Sequence, residues 1–274
     1  MQVVLTEKIQ AGLPERPREA STGDREEVHD TMSEASVRII LVGANGRMGR
    51  LIDACAADDR DVEVVARLDR ENLQEFTAQS ASRGAVAETR GQVVIDFSSD
   101  EGARLAARLA TTLGAALLTG TTGLSEATVR VLDEASEKIS VLPCSNTSLG
   151  VVVLRRLVAE AARLLGPGYD LDIVESHHRR KLDAPSGTAL SLAASIAETG
   201  RNVPPERMHS LRGGDVVGMH EVVFAGPGET IRLEHRAERR ELFALGALRA
   251  AKWLAGRPAG RYRIEDTLDG PGRG

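Results

Sequence analysis

The sequence predicts an α/β protein: an N-terminal doubly wound parallel sheet followed by a second, α+β unit. Three observations predict it. From Val37 to Leu142, short apolar runs ending in small polar residues alternate with helical patterns. A glycine-rich turn follows the first of those runs directly. After Asn146 the alternation stops, and one long helical pattern leads into strand-like runs joined by tight turns.

Val37–Val42 is a continuous apolar run, the pattern of a strand buried on both faces. Gly43, Ala44, Asn45, Gly46, Arg47, Met48 and Gly49 come next, and Leu51, Ile52 and Cys55 then fall at helical spacing. Such a turn lets the backbone approach a pyrophosphate, which the helix N-terminus binds. A plain tight turn would carry the same glycines, so the surrounding elements decide. A second strand reads at residues 62–66, and Asp69 and Arg70 stand at its end. An acid there can accept from the ribose hydroxyls of NAD, and an arginine can pair with the 2′-phosphate of NADP. Further strands read at 93–97, 115–118 and 139–142, with helices at 101–113 and 125–138 between them. Each strand ends in small polar residues: Ser98-Ser99, then Gly120-Thr121-Thr122-Gly123, then Cys144-Ser145-Asn146. The ligand crevice of an open parallel sheet lies at those carboxyl ends. The series predicts a Rossmann-like dinucleotide-binding unit.

Residues 148–165 then read as one long helix that Gly166-Pro167-Gly168 ends. A strand through Leu171, Ile173 and Val174 and a helix at 188–199 follow, with a loop through Pro204-Pro205. Strand-like runs at 215–225 and 230–235, joined by Gly226-Pro227-Gly228, suggest a hairpin. Glu241–Leu254 is a last helix that would return to the first unit. The expected organisation is an extension at 1–36, a dinucleotide unit at 37–146 plus 241–274, and a second, substrate unit at 147–240, to which the resemblance named below adds oligomerisation.

Composition bounds the function. The chain of 274 residues is 42% hydrophobic and 27% charged, ordinary for a globular protein. A net charge of −5 offers no global basic field for nucleic acid. Cys55 and Cys144 are the two cysteines, neither with a Cys or His at ligand spacing, so neither a disulfide framework nor a metal site is expected. That usage suits a reducing cytoplasm. No apolar run reaches membrane-spanning length. Residues 12–27 mix Pro14, Pro17, Gly23 and many charges with little apolar periodicity, which predicts disorder. The extension lacks the apolar region of a signal peptide and is too acidic for a transit peptide, and Met32 is a candidate native start.

Residues 175–189, Glu-Ser-His-His-Arg-Arg-Lys-Leu-Asp-Ala-Pro-Ser-Gly-Thr-Ala, carry the chemistry. Ser186 is a plausible N-cap, with Gly187, Thr188 and Ala189 in the first turn of a helix. A helix N-terminus presents unpaired N–H groups and partial positive charge, which suits a carboxylate or phosphate. His177, His178 and Lys181 place proton donors before it, and Arg179 and Arg180 add field. On the cluster alone, a solvated basic loop before an ordinary capped helix is the competing reading.

The glycine loop, the Gly120–Gly123 turn, this run and Leu211-Arg212-Gly213-Gly214-Asp215-Val216-Val217-Gly218 occur in one order. From about Val37 to Gly270 the chain resembles the 4-hydroxy-tetrahydrodipicolinate reductase family, long called dihydrodipicolinate reductase. The resemblance implies reduction of a cyclic dicarboxylate imine with NADPH or NADH in lysine biosynthesis. It implies that His177 and Lys181 are catalytic, that His178 binds substrate, and that Ser186, Gly187 and Thr188 hold a substrate carboxylate. It implies cofactor contacts from Gly43 to Met48, Asp69, Arg70, Gly120 to Thr122, and Cys144, Ser145, Asn146 and Thr147. A homo-oligomer, a tetramer built through the second unit's sheet, is also implied. Asp69 stands where the family commonly has a longer Glu, Ser98-Ser99 replaces its usual Thr and Pro, and residues 201–209 lack its Gly-Glu-Arg run. Two other readings fit: a dehydrogenase for another imino or amino dicarboxylate, and a non-catalytic dinucleotide sensor.

Overall fold

Alternation along the first strand decides the first layer structure. In the computed structural model, which describes residues 36–83 and 92–269, β1 (Val37–Val42) lies inside a parallel sheet. Ile39 and Leu41 point to one face and Ile40 and Val42 to the other, and all four are buried. Both faces must therefore be covered by helices. On one face α1 (Arg47–Ala57) and α7 (Glu241–Leu254) supply Ile52, Ala247, Leu248 and Leu254. On the other, α2 (Leu73–Arg83), α3 (Asp100–Leu113) and α4 (Glu126–Ser136) supply Leu73, Leu109 and Leu132.

The strands β2 (Val62–Leu68), β3 (Val93–Asp96), β4 (Ala116–Thr119), β5 (Ser140–Pro143) and β10 (Gly260–Arg261) complete the sheet in the order β10-β5-β4-β3-β1-β2. All pairings are parallel. The order reverses between β1 and β3, where a doubly wound sheet opens its ligand crevice.

After β5, α5 (Leu149–Leu165) leads to β6 (Asp170–His177) and α6 (Gly187–Ala197). The strands β7 (Met208–Arg212), β8 (Gly218–Gly226) and β9 (Glu229–Ala237) form a mixed sheet with β6, ordered β7-β6-β8-β9. Its β6–β7 pair is parallel and the others antiparallel. α5 and α6 cover one face through Leu154, Val158, Leu192 and Ile196 against Ile173, Val222 and Phe224.

Three expectations need adjusting. Residues 208–212, between the expected loop at Pro204-Pro205 and the expected strand from 215, form β7 beside β6, with partners running from Ile173↔Met208 to His177↔Arg212. The strand expected from 215 starts at Gly218, because Gly214 turns the chain at φ +52°. The expected Leu171–Val174 strand runs on to His177, its polar end paired on both sides. The extension expected at 1–36, Met32 included, lies outside the described residues apart from Ser36.

Besides its apolar face, α7 docks through a close approach at Gly246. A Cβ on Gly246 would lie 1.8 Å from the carbonyl oxygen of Thr147. Gly246→Ala should therefore cost about 1–3 kcal/mol in urea unfolding, since helix and loop must part. Gly168→Ala, with nothing within 4 Å of its Cβ, should change stability by less than about 0.5 kcal/mol. An unshifted midpoint for Gly246→Ala would contradict the docking.

Candidate active site

Helices α3, α4, α5 and α6 each begin at a serine, Ser99, Ser125, Ser148 or Ser186, whose hydroxyl accepts a first-turn N–H. α1 begins differently. Its N-cap is Gly46, with no side chain to cap the turn, so its first amides have no side-chain acceptor. The glycines before it divide the work. Gly43 adopts φ +81°, and a Cβ there would sit 2.4 Å from the Phe97 carbonyl oxygen. A Cβ on Gly49 would lie 2.1 Å from the Gly43 carbonyl oxygen, so this glycine packs helix on strand. Gly46 would meet that oxygen at 3.1 Å and little else, so its bareness serves whatever approaches from outside. The arrangement fits a dinucleotide pyrophosphate. Arg47 is exposed in the same turn, whereas Ala44 and Met48 pack against the core.

Beside the turn lies a cleft of about 310 Å³, lined by Gly43, Gly46, Asp69, Arg70, Phe97 and Ser98 among others. Asp69 is already engaged: its carboxylate accepts from the amides of Asn45 (3.3 Å) and Arg70 (2.9 Å). It ties the β2 end to the glycine turn. The Arg70 side chain is exposed at the rim. Deeper in, Asp96 is fully buried and accepts from the hydroxyls of Thr119 and Thr121 at 2.7 Å each, and from Ser98. Burial raises its carboxyl, and these bonds oppose the rise. The Thr121 hydroxyl also accepts from the Ser98 amide (2.8 Å), so one carboxylate binds the ends of β3 and β4 together. Gly120 is small because the Phe97 ring would lie 2.1 Å from its Cβ, and Thr122 is exposed.

The β5 end is only partly available to a ligand. The Cys144 thiol is buried, bonded to the Asn146 carbonyl (2.8 Å), and pushed up to about 12 chiefly by burial. The Thr147 hydroxyl donates to Phe243 on α7 (2.6 Å). Both side chains thus face the protein, whereas Ser145 is exposed. Asn146 bridges: its amide donates to the Thr188 hydroxyl at the start of α6 (3.0 Å), and its oxygen accepts from Ser148 (2.9 Å).

On the mixed sheet, Glu175, His177 and His220 lie on the face that the helices cover. Glu175 is 1% exposed yet charged. Burial would raise its carboxyl, but bonds from Arg212, Ser210 and His177 outweigh that and hold it at about 2. Arg212 grips it with two bonds of 2.7 and 2.8 Å. The Ser186 amide donates to it at 3.2 Å, and His177 Nδ1 at 2.6 Å. Burial pulls His177 below its ordinary value, against the pull of Glu175. The His220 ring packs edge-on to His177 at 5.0 Å, and its Nε2 lies 3.1 Å from the Ser186 hydroxyl. A Cβ on Gly218 would approach His177 Nε2 to 3.2 Å, which only glycine avoids.

The motif's cations differ in setting: Arg179 and Arg180 are exposed, and Lys181 is half-buried. Lys181 Nζ rests on Asp183 at 2.8–2.9 Å, Arg180 reaches Asp215 at 3.3 Å, and His178 carries a buried Nδ1 with no partner among the described residues. Ser186 is engaged through both amide and hydroxyl, which leaves Gly187 and Thr188 as first-turn amides without an intrahelical acceptor. Together these groups can hold a carboxylate beside a proton donor. Among the described residues no cluster of His, Cys, Asp and Glu could hold a metal ion. Reading the sequence singled out neither Glu175, Arg212 nor His220 as functional. Glu175 and Arg212 sit inside the two motifs quoted above, and the signal was their period-two spacing with His177 and its neighbours on paired strands.

Two family models match the chain, dihydrodipicolinate reductase N-terminus over residues 37–147 and dihydrodipicolinate reductase C-terminus over residues 150–268. A protein of Xanthomonas axonopodis pv. citri named 4-hydroxy-tetrahydrodipicolinate reductase is 44% identical over 241 residues, covering 86% of this chain and all of its own. One of the same name from Caldanaerobacter subterraneus subsp. tengcongensis is 40% identical over 249 residues, covering 85% and 98%. Among solved structures, dipicolinate-bound dihydrodipicolinate reductase from Paenisporosarcina sp. TG-14 shares the fold with a TM-score of 0.67 at 21% identity, covering 84% and 99%.

The buried groups set an acid limit on the fold. Desolvation, and then the neighbouring His177, hold His220 down at about 3, so it folds neutral. The unfolded ring titrates near 6.5, so this stabilisation is complete above 6.5 and fades as pH falls towards 3. That of Glu175 is complete above 4.5 and fades towards 2. Urea midpoints should therefore drop from about pH 6.5 downward. His220→Gln should flatten the upper part of that slope, though not abolish it, because burial also lowers His177 and His235. An unchanged slope would contradict a neutral, buried His220.

Proposed function

The chain belongs to the dihydrodipicolinate reductase family, and we infer from this that its site carries out the reaction for which the family is named. It is an NAD(P)H-dependent oxidoreductase that reduces 4-hydroxy-tetrahydrodipicolinate to tetrahydrodipicolinate in lysine and diaminopimelate biosynthesis. The observation that carries the assignment of roles is the position of His177, held at 2.6 Å by a buried carboxylate that also holds the first residue before α6.

When bound, the nicotinamide supplies the hydride. The residues that fit the cofactor are the amides of the Gly43–Met48 turn for the pyrophosphate, Asp69 and Arg70 for the adenosine ribose, and Gly120–Thr122 with Cys144–Thr147 at the strand ends. Cys144 and Thr147 act through backbone there, since their side chains are engaged inside the protein. The Gly187 and Thr188 amides take one substrate carboxylate at the positive end of α6. His178 and Lys181 face the other charges of the dianion, Lys181 by leaving Asp183. His177 donates the proton that quenches the electron density left on the ring. Its Nδ1 is engaged with Glu175, so the proton leaves from Nε2. A sensor that only bound dinucleotide would need no such oriented acid.

On this reading residues 37–146 with 241–274 bind the cofactor and 147–240 bind substrate and a second copy. The face of the mixed sheet away from α5 and α6 carries Val174, Met219, Val223 and exposed Leu211, which supports a homotetramer built through that sheet. No helix among the described residues is long and apolar enough to cross a membrane. We place the enzyme in the cytoplasm, acting on a small dicarboxylate rather than nucleic acid.

The direct test follows nicotinamide absorbance with enzymatically generated cyclic imine present and absent. Oxidation should depend on the imine. His177→Gln should lower kcat by roughly 10²–10⁴-fold. Lys181→Ala should lower kcat and also raise KM for the imine, with NADPH affinity nearly constant in both. Near-normal turnover of His177→Gln would overturn the assignment.

Asp69 and Arg70 side by side predict usable binding of both cofactors. Arg70→Ala should weaken NADPH more than NADH, by about 1–3 kcal/mol. Equal effects would exclude Arg70 from reading the 2′-phosphate.

A further inference from the structure

Glu175 is a buried charge beside the proton donor, and the roles proposed above leave its other contacts unexplained. If it served only to pair β6 with β7, the two-pronged bond from Arg212 would suffice. It also takes His177 Nδ1 and the Ser186 amide, which belong to the proton donor and to the start of α6. Arg212 in turn donates to the Asp183 carbonyl at 2.6 Å, and Asp183 holds Lys181. His177 and the residue that caps α6 are therefore each one bond from the same carboxylate, and Lys181 is linked to it through Asp183 and Arg212.

We propose that Glu175 is a positioning residue for the reaction: it fixes His177 in the form whose Nδ1 carries the proton towards Glu175, so that Nε2 faces the substrate, and it sets that ring against the start of α6. The proposal rests on the reading of His177 as the proton donor.

The charges facing His177 define the chemistry. Glu175 comes from β6, Arg212 from β7, and Lys181 and Asp183 from the loop before α6. His220 comes from β8 and stays neutral. Arg212 and Lys181 disfavour a charged imidazole and Glu175 favours one. A carboxylate in permanent contact with Nδ1 can only accept, so the neutral ring keeps its proton on that side. Nε2 is then the nitrogen that gains and gives the catalytic proton. The buried pair with Arg212 keeps Glu175 from taking the proton itself, just as the orienting acid of a hydrolase triad stays charged.

Two measurements test this. In enzyme labelled with ¹⁵N-histidine, with His177 assigned by its loss in His177→Gln, the neutral ring should show the Nδ1–H tautomer. An Nε2–H tautomer would overturn the proposal, and this readout needs no variant of Glu175 to fold. Glu175→Gln should lower kcat/KM for the imine by about 10²-fold or more. It should also move the descending limb of kcat/KM to lower pH, because the anion that favours the charged ring is gone. NADPH affinity should stay unchanged. A merely structural Glu175 would lower the melting temperature and leave the limb where it is, and that result would overturn the proposal. Retained turnover in His177→Gln would be a separate failure, that of the proton-donor reading.

Discussion

The pairing of Glu175 with Arg212 is the interaction on which the substrate side of the molecule depends. Removing both charges from water is expensive, and such a pair seldom adds net stability over apolar residues of the same size. Breaking it is another matter, since a lone buried charge costs about 3–5 kcal/mol. The pair therefore fixes one arrangement rather than strengthening the fold. With Arg212 on β7 and Glu175 on β6, register is set where the strands reach their site-facing ends. Bonds from His177, Ser186 and Arg212 converge on the carboxylate and hold the ring and the helix start together, and Arg212 also ties in the basic loop at the Asp183 carbonyl.

Four helix starts are capped from within, whereas the one beside the glycine turn is left open. Serine hydroxyls cap α3, α4, α5 and α6, whereas Gly46 gives α1 nothing but backbone. At α6 the cap is itself held, by Glu175 through the amide and beside His220 through the hydroxyl. The next two amides, those of Gly187 and Thr188, have no intrahelical acceptor. Asn146 links this helix start to the β5 end, so the candidate cofactor and substrate positions share a hydrogen bond. Asp96 does for β3 and β4 what Glu175 does for β6 and β7: a buried acid at a strand end holds neighbouring loops in place.

The first half was legible because its central strands β1, β3 and β4 are buried on both faces and announce themselves as apolar runs, whereas the two-residue edge strand β10 gave no such signal. The last helix, Glu241–Leu254, was read with its observed bounds. What escaped notice was polar. Strand β6 continues its alternation through Leu171, Ile173, Glu175 and His177, but the last two positions carry charge, so hydrophobicity alone ends the strand early. Strand β7 is a short edge strand of mixed residues, and its parallel partner is distant in sequence. The candidate site was legible as a motif and a helix start. The identity of the group that orients His177 was not, because it depends on which side chains meet across paired strands, and one sequence does not show register.

The central claim is that a planar cyclic dicarboxylate lies between the α6 start and the nicotinamide, with His177 Nε2 at its ring. A crystal structure with NADPH and pyridine-2,6-dicarboxylate, which cannot be reduced, tests it most directly. The account predicts one carboxylate on the Gly187 and Thr188 amides, Lys181 drawn from Asp183 to the other, and nicotinamide C4 about 3–3.5 Å from the ring. A dicarboxylate bound away from α6, or with His177 turned from Glu175, would contradict it.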